Sequence, residues 1–168
     1  METFKARLVV KRYTQKEGIN YDEIFSPVVM LKSICILLCI AAALDYEIWQ
    51  MDVKTTFLNG HLDENIYMVQ PDGFKAKGQE NKVYKLLNFI YGLKQTSHSW
   101  NIRFDQEVKT YGFEQNFDEP CAYKHFKEKK VVFLVLYVDD ILLIGNDVGV
   151  LGSIKVWLTK QFDMKDVG

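Results

Sequence analysis

The chain has almost no net charge, few cysteines, and no hydrophobic run long enough to cross a bilayer. Over 168 residues, 21 Lys and Arg stand against 22 Asp and Glu, leaving −1 at neutral pH. Bulk charge therefore argues neither for nor against a nucleic-acid partner. The three cysteines, Cys35, Cys39 and Cys121, form no CxxC pair and no metal-type spacing. An odd count fits a reducing compartment. Cys35 and Cys39 lie one helical turn apart and read as small packed hydrophobes. The one membrane-like stretch, ICILLCIAAAL (34–44), is too short to span and too far from the N-terminus for a signal peptide. It reads as a buried helix, and a cytoplasmic location is expected. No repeat, low-complexity tract or internal linker appears, so residues 1–168 read as a single domain with a sizeable core.

Local patterns carry more. Residues 1–16 hold Lys5, Arg7, Lys11, Arg12 and Lys16 against Glu2, a balance of 5 − 1 = +4. This edge either meets phosphate or is a strand edge kept soluble by its charge. KARLVVKRY (5–13) alternates as a strand would, and TQKEGINYDEIFSPV (14–28) reads as a loop. YEIWQMDV (46–53) alternates, with Trp49, Met51 and Val53 facing one way and Ile48, Gln50 and Asp52 the other. NG (59–60) and PDG (71–73) mark turns, and KVYKLL (82–87) is strand-like. Ser97 to Tyr111 places Trp100, Phe104 and Val108 at helical spacing, with Gly112 as the C-cap. CAYKHF and VVFLVLY flank a charged turn, and a last amphipathic helix covers 150–162. The expected fold class is α+β: a mainly antiparallel sheet with helices on one face.

VLYVDDILLIG (135–145) sets Asp139 and Asp140 inside the most apolar part of the chain. Burying an unpaired carboxylate costs several kcal/mol, so the pair must reach water or find cations. One reading is a β-hairpin whose turn happens to use Asp. The other is a metal site on a rigid hairpin tip. A third carboxylate separates them, and Asp52, at the end of the alternating strand 46–53, is the candidate. Its competing reading is a strand-end residue starting the turn DVKTTFLNG. If the strands are neighbours, three carboxylates converge and repel unless cations bind. Hard oxygen ligands with open positions suit Mg²⁺. Two such ions form the device for phosphoryl transfer at a 3′-OH.

QMDVKTTFLNGHL, YGLKQTSHSW and LYVDDILLIG, in that order, resemble the reverse transcriptase of copia-type LTR retrotransposons. KARLVVKRYTQKEGINYDEIFSPV and DEPCAYKH resemble the connecting blocks, so the likeness spans essentially the whole chain. The resemblance implies a right-hand polymerase palm with part of the fingers, truncated at both ends. It implies an RNA-directed DNA polymerase working on an RNA or DNA template with primer and dNTPs. Asp52, Asp139 and Asp140 would be catalytic and hold Mg²⁺, with Mn²⁺ as a substitute. Phe57 would stand where a steric gate excludes a 2′-OH, or simply anchor the turn. Tyr91 and Gly92 would border the incoming nucleotide, or form a turn before a helix. Lys5 and Arg7 would grip its triphosphate. The chain departs from the family at Ser97 and His98, where Pro-Arg is usual. It also departs at Thr56, where Ala is usual, and at Met30 and Cys35, where basic residues are common. Thumb and ribonuclease H of the Pol polyprotein are expected to lie outside these residues, and the intact element to act within a virus-like particle. A non-catalytic remnant that keeps the palm and the triad is the alternative, and a metal phosphatase has no other motif behind it.

Overall fold

The apolar runs on either side of Asp139 and Asp140 form the middle of an antiparallel sheet in the computed structural model of the chain. The structure describes residues 8–16, 18, 26–59, 62, 64–75 and 77–166, without the side chains of Arg12, Phe57 and Asp166. Helix α1 (Leu31–Leu44) leads into β1 (Glu47–Val53), and a short ribbon follows from β2 (Tyr67–Val69) and β3 (Val83–Lys85). Then come α2 (Thr96–Tyr111), β4 (Glu114–Gln115), β5 (Ala122–Lys127), β6 (Lys130–Tyr137), β7 (Asp140–Gly145), α3 (Val148–Gln161) and β8 (Met164–Asp166). Among the described residues, the main sheet has six strands in the order β4-β5-β6-β7-β1-β8, every neighbouring pair antiparallel.

The local chemistry explains the connections. Glu128 and Lys129, between β5 and β6, both have positive φ (52° and 66°), as a two-residue type I′ turn requires. Helix α2 stops at Gly112, whose φ of 103° lets its N–H return to the Val108 and Lys109 carbonyls. Helix α3 starts at Asp147, which accepts from the Val150 amide at 2.9 Å.

The sheet is apolar on both faces because helices cover both, a correction to the one-sided arrangement that the sequence suggests. Met51, Val53, Leu134, Leu136, Ile141 and Leu143 pack beneath α2 and α3, against Trp100, Phe104, Val108, Leu151, Ile154 and Leu158. Phe162 lies between Trp100 and Phe104, with ring centroids 5.1 and 5.7 Å away. The opposite face presents Val135 and Leu142 to Val29, Ile34 and Leu37 of the α1 region. Strand alternation puts residues 135 and 142 on that other side.

Helix α1 corrects a second expectation. Only Ala41 is buried, while Leu31, Ile36 and Leu44 are exposed, as are Cys35 and Cys39. Its apolar character is therefore only partly used by the sheet. Its N-terminus is held from a distance: buried Glu119 accepts from the Met30 amide (3.0 Å) and the Ser33 hydroxyl (2.7 Å). Beside Glu119, burial and that carboxylate push the Cys121 thiol up to about 11. The strand expected over 5–13 falls partly outside the described residues, and its described part makes one parallel bridge, Val9 to Tyr91, with a 3-10 turn at Arg12–Thr14.

The two cysteine environments give a direct check on α1. Titration with a thiol reagent should modify two cysteines of the native chain quickly and the third only after unfolding. A native chain in which Cys35 and Cys39 resist modification would return α1 to the interior.

Candidate active site

Three segments meet at one end of the sheet. In the β1–β7 ladder Asp52 lies directly opposite Asp140, and in the β6–β7 ladder Tyr137 lies opposite Asp140. Directly opposed residues share a face, with Cβ atoms about 4.5–5.5 Å apart. Asp52 and Asp140 therefore stand side by side on the α1 face of the sheet. Asp139 occupies the two-residue turn between β6 and β7 and is exposed, while Asp52 and Asp140 are half-buried. Among the described residues, no three His, Cys, Asp or Glu side chains stand close enough to hold one ion. The arrangement is a carboxylate pair across one rung with a third carboxylate at the adjoining turn. Mg²⁺ is commonly held by one or two carboxylates plus water and substrate phosphates, so the donor set fits that ion.

The backbone fixes these positions. The amide of Val53, which follows Asp52, donates to the Asp139 carbonyl at 2.8 Å. The preceding carbonyl, that of Val138, accepts from the Trp100 indole N–H at 2.9 Å. Both carbonyls flanking the Asp139 residue are thus held, one from β1 and one from α2. Val138 has a φ of 59°, and Thr55, just beyond Asp52, has a φ of 49°. A β-branched side chain in the left-handed region is strained by about 1–3 kcal/mol. That is similar to the gain from burying one Leu, about 1.5–3 kcal/mol. The packed flanks, with Leu136 and Ile141 fully buried, can hold such a turn.

The sheet adds neighbours that sequence reasoning missed. Gln50 Nε2 donates to Asp140 Oδ1 at 3.0 Å, diagonally across the ladder. Lys165 of β8 is the register partner of Asp52 on its other side, so Asp52 lies between a carboxylate and a lysine position. The alternation of 46–53 could have flagged Gln50. Nothing in the sequence signals that residues 164–166 return to pair with β1.

The remaining expected residues divide. Phe57 falls in the 3-10 turn Thr56–Asn59 that follows β1, with its side chain outside the described part. That turn is anchored: the buried Thr56 hydroxyl donates to the Val53 carbonyl at 2.7 Å, and Arg103 of α2 donates to the Asn59 carbonyl. The hydroxyl that departs from the family pattern is therefore satisfied. Lys5 and Arg7 lie outside the described residues. Tyr91 and Gly92 are next to the 8–10 segment, where Val10 N–H donates to the Tyr91 carbonyl at 2.8 Å. Gly92 has a φ of 95°, and a Cβ there would come within 2.5 Å of the Val10 carbonyl oxygen. The close approach it permits is to the chain's own backbone. A cleft of about 990 Å³ opens between residues 8–15 and the β2 side of the ribbon, lined in part by Lys11, Gln15, Glu64, Asp72 and Lys75. None of the three aspartates lines it.

The class follows from comparison with known proteins. The reverse transcriptase (RNA-dependent DNA polymerase) family matches residues 1–168, and the chain belongs to that family. Within it, the relatives are copia-type retrotransposon Pol polyproteins, and the chain is a reverse transcriptase domain of that type. It is 49% identical over 166 residues to the retrovirus-related Pol polyprotein from transposon TNT 1-94 of Nicotiana tabacum, covering 98% of this chain and 12% of that protein. It is 39% identical to the Pol polyprotein from transposon RE1 of Arabidopsis thaliana, covering 99% of this chain and 11% of that protein. A more distant relative, the transposon Ty1-NL2 Gag-Pol polyprotein of Saccharomyces cerevisiae, is 27% identical, covering 97% of this chain and 9% of that protein. The chain thus spans about an eighth of the length of the tobacco and Arabidopsis relatives. No solved structure matches it.

Two outcomes test this geometry. Without divalent ions, like charges across a rung cost up to about 1 kcal/mol. Asp140→Asn keeps an acceptor for Gln50 and removes the repulsion, so in EDTA its melting temperature should equal or exceed that of the unaltered chain by up to about 4 °C. A drop of several degrees would show the two carboxylates to be apart. Gly92→Ala meets both a positive φ and the Val10 carbonyl, and should cost about 2 kcal/mol or more in denaturant unfolding. An unchanged midpoint would dissolve the contact between residues 8–10 and 91–92.

Proposed function

We propose that the chain is the part of an RNA-directed DNA polymerase that transfers a nucleotide to a primer 3′-OH, with Asp52, Asp139 and Asp140 as its catalytic and metal-binding residues. The observation that carries the reading is the Asp52–Asp140 rung, tied to Asp139 by the Val53 amide. The three carboxylates, half-buried or exposed, stand at one end of the apolar middle strands of the sheet. Mg²⁺ at these carboxylates would neutralise charge on the transferred phosphoryl group and acidify the primer hydroxyl. The protein's own task is to hold the carboxylates rigidly. The Asp139 turn is fixed from two sides, and the strand that carries Asp52 is paired on both edges.

The substrates of this reading are dNTPs and a primer on an RNA or DNA template. Phe57 selects deoxynucleotides, Tyr91 borders the nucleotide, and Lys5 and Arg7 meet the triphosphate. Gly92 serves that wall indirectly, through its backbone contact with Val10. The remaining positioning elements, a thumb and ribonuclease H among them, come from the rest of a Pol polyprotein, and the reaction belongs in the cytoplasm within virus-like particles. Among the described residues, no helix is long and apolar enough to cross a membrane. A scaffold without turnover is the second reading. One observation favours it: among the described residues, no three His, Cys, Asp or Glu side chains stand close enough to hold one ion.

Phosphoryl transfer depends on positioning, and a misplacement of ~1 Å costs about 10²-fold. The isolated 168-residue chain should therefore extend a primer weakly or not at all with Mg²⁺. Joined to its flanking polyprotein, it should extend on RNA and DNA templates, and Asp139→Asn should abolish this. Extension that survives Asp139→Asn would contradict the assignment. No extension by the joined protein would favour the scaffold reading.

A further inference from the structure

We infer that Trp100 is a positioning residue for the Asp139 turn: its indole N–H clamps the Val138 carbonyl and holds a strained turn in the shape that aims Asp139. This rests on the proposed metal site, and it adds a residue that the three carboxylates do not require by themselves. Trp100 is 1% exposed and sits in the first turns of α2, behind the sheet. Its ring is fixed by Phe104 (5.5 Å between centroids) and by Phe162 in an edge-to-face contact at 77°. The indole has a single donor, and that donor meets the Val138 carbonyl at 2.9 Å.

The clamp matters because the turn is not relaxed. Of the two turn residues, Val138 alone has a positive φ, the sign pattern of a type II′ turn, whose first central position favours Gly. A β-branched residue there would escape to an extended conformation if it were free to do so. The way out is rotation about the Val138 N–Cα bond, which swings the Val138 carbonyl away from its place relative to β6 and so must break the Trp100 bond. It would also disturb the next carbonyl, which accepts from Val53. The indole bond and the Val53 bond therefore brace the two peptides on either side of Asp139. A buried indole N–H needs an acceptor in any case, and what marks this one is that its acceptor is the carbonyl of the strained turn residue.

The test is Trp100→Phe in the whole chain, read by amide hydrogen exchange and Mn²⁺ titration. Phenylalanine keeps an aromatic ring and removes the donor. Exchange of the Val53 amide should speed up at least tenfold, while that of Met51, two residues earlier in the same strand, should not change. Mn²⁺ affinity should fall at least fivefold. Adding Val138→Gly, which relaxes the turn, should restore both readouts in the double variant, and packing loss alone would not be rescued this way. Unchanged Val53 exchange in Trp100→Phe would overturn the clamp. So would faster exchange with unaltered Mn²⁺ affinity, or failure of Val138→Gly to rescue. If the unaltered chain binds no Mn²⁺, the metal-site reading fails, and Val53 exchange with its rescue still decides the clamp. If Trp100→Phe does not fold, Val138→Gly with Trp100 intact decides it: relieving the strained turn should slow Val53 exchange, and unchanged or faster Val53 exchange would overturn the clamp.

Discussion

One backbone hydrogen bond, from the Val53 amide to the Asp139 carbonyl, organises this end of the molecule. It joins the peptide that follows Asp52 to the peptide that links Asp139 with Asp140. With the Asp52–Asp140 rung beside it, it ties the backbone that carries Asp52 to the backbone that carries Asp139 and Asp140. Almost everything else supports that contact. β6 and β7 bring the turn forward, α2 and α3 hold β1 and β7 flat from behind, and β8 closes the outer edge of β1. A slip of one residue between β1 and β7 would send Asp52 to the packed face, where Met51 and Val53 are fully buried.

That constraint also explains why two aspartates occur within the most apolar run of the chain. The run is apolar because the middle of the sheet is covered on both faces, by α2 and α3 on one side and by α1 on the other. The aspartates begin where that cover ends. Asp139 is exposed, and Asp52 and Asp140 remain half-open to water, so none bears the full penalty of burial. Their mutual repulsion remains, and it is what a divalent ion would relieve. The Gln50 N–H on Asp140 partly offsets it when no ion is bound.

The legible parts of the fold were those with a strong period. Trp49, Met51 and Val53 against Gln50 and Asp52 could be read as two faces, and Trp100, Phe104 and Val108 as a helix stripe, because packing here follows the pattern of the side chains. The family blocks gave the class of protein. The covering of the sheet was not legible: an apolar helix reads as buried whether or not a partner is present, and α1 leaves most of its surface open. Gly92 was ambiguous for a similar reason. Its sequence neighbourhood shows that a close approach is needed, and not whether backbone or nucleotide makes it. The Trp100 indole bond and the β8 pairing depend on tertiary geometry that no spacing encodes.

The central claim is that divalent ions bind at the hairpin tip, at the Asp52–Asp140 rung and the adjoining Asp139 turn. Paramagnetic broadening of backbone amide resonances by substoichiometric Mn²⁺ tests it most directly. The account predicts that the amides of Asp52, Val53, Asp139 and Asp140 broaden first. The Glu128–Lys129 turn, at the other end of β6, should stay sharp. Broadening centred elsewhere, or none at these four residues, would contradict it.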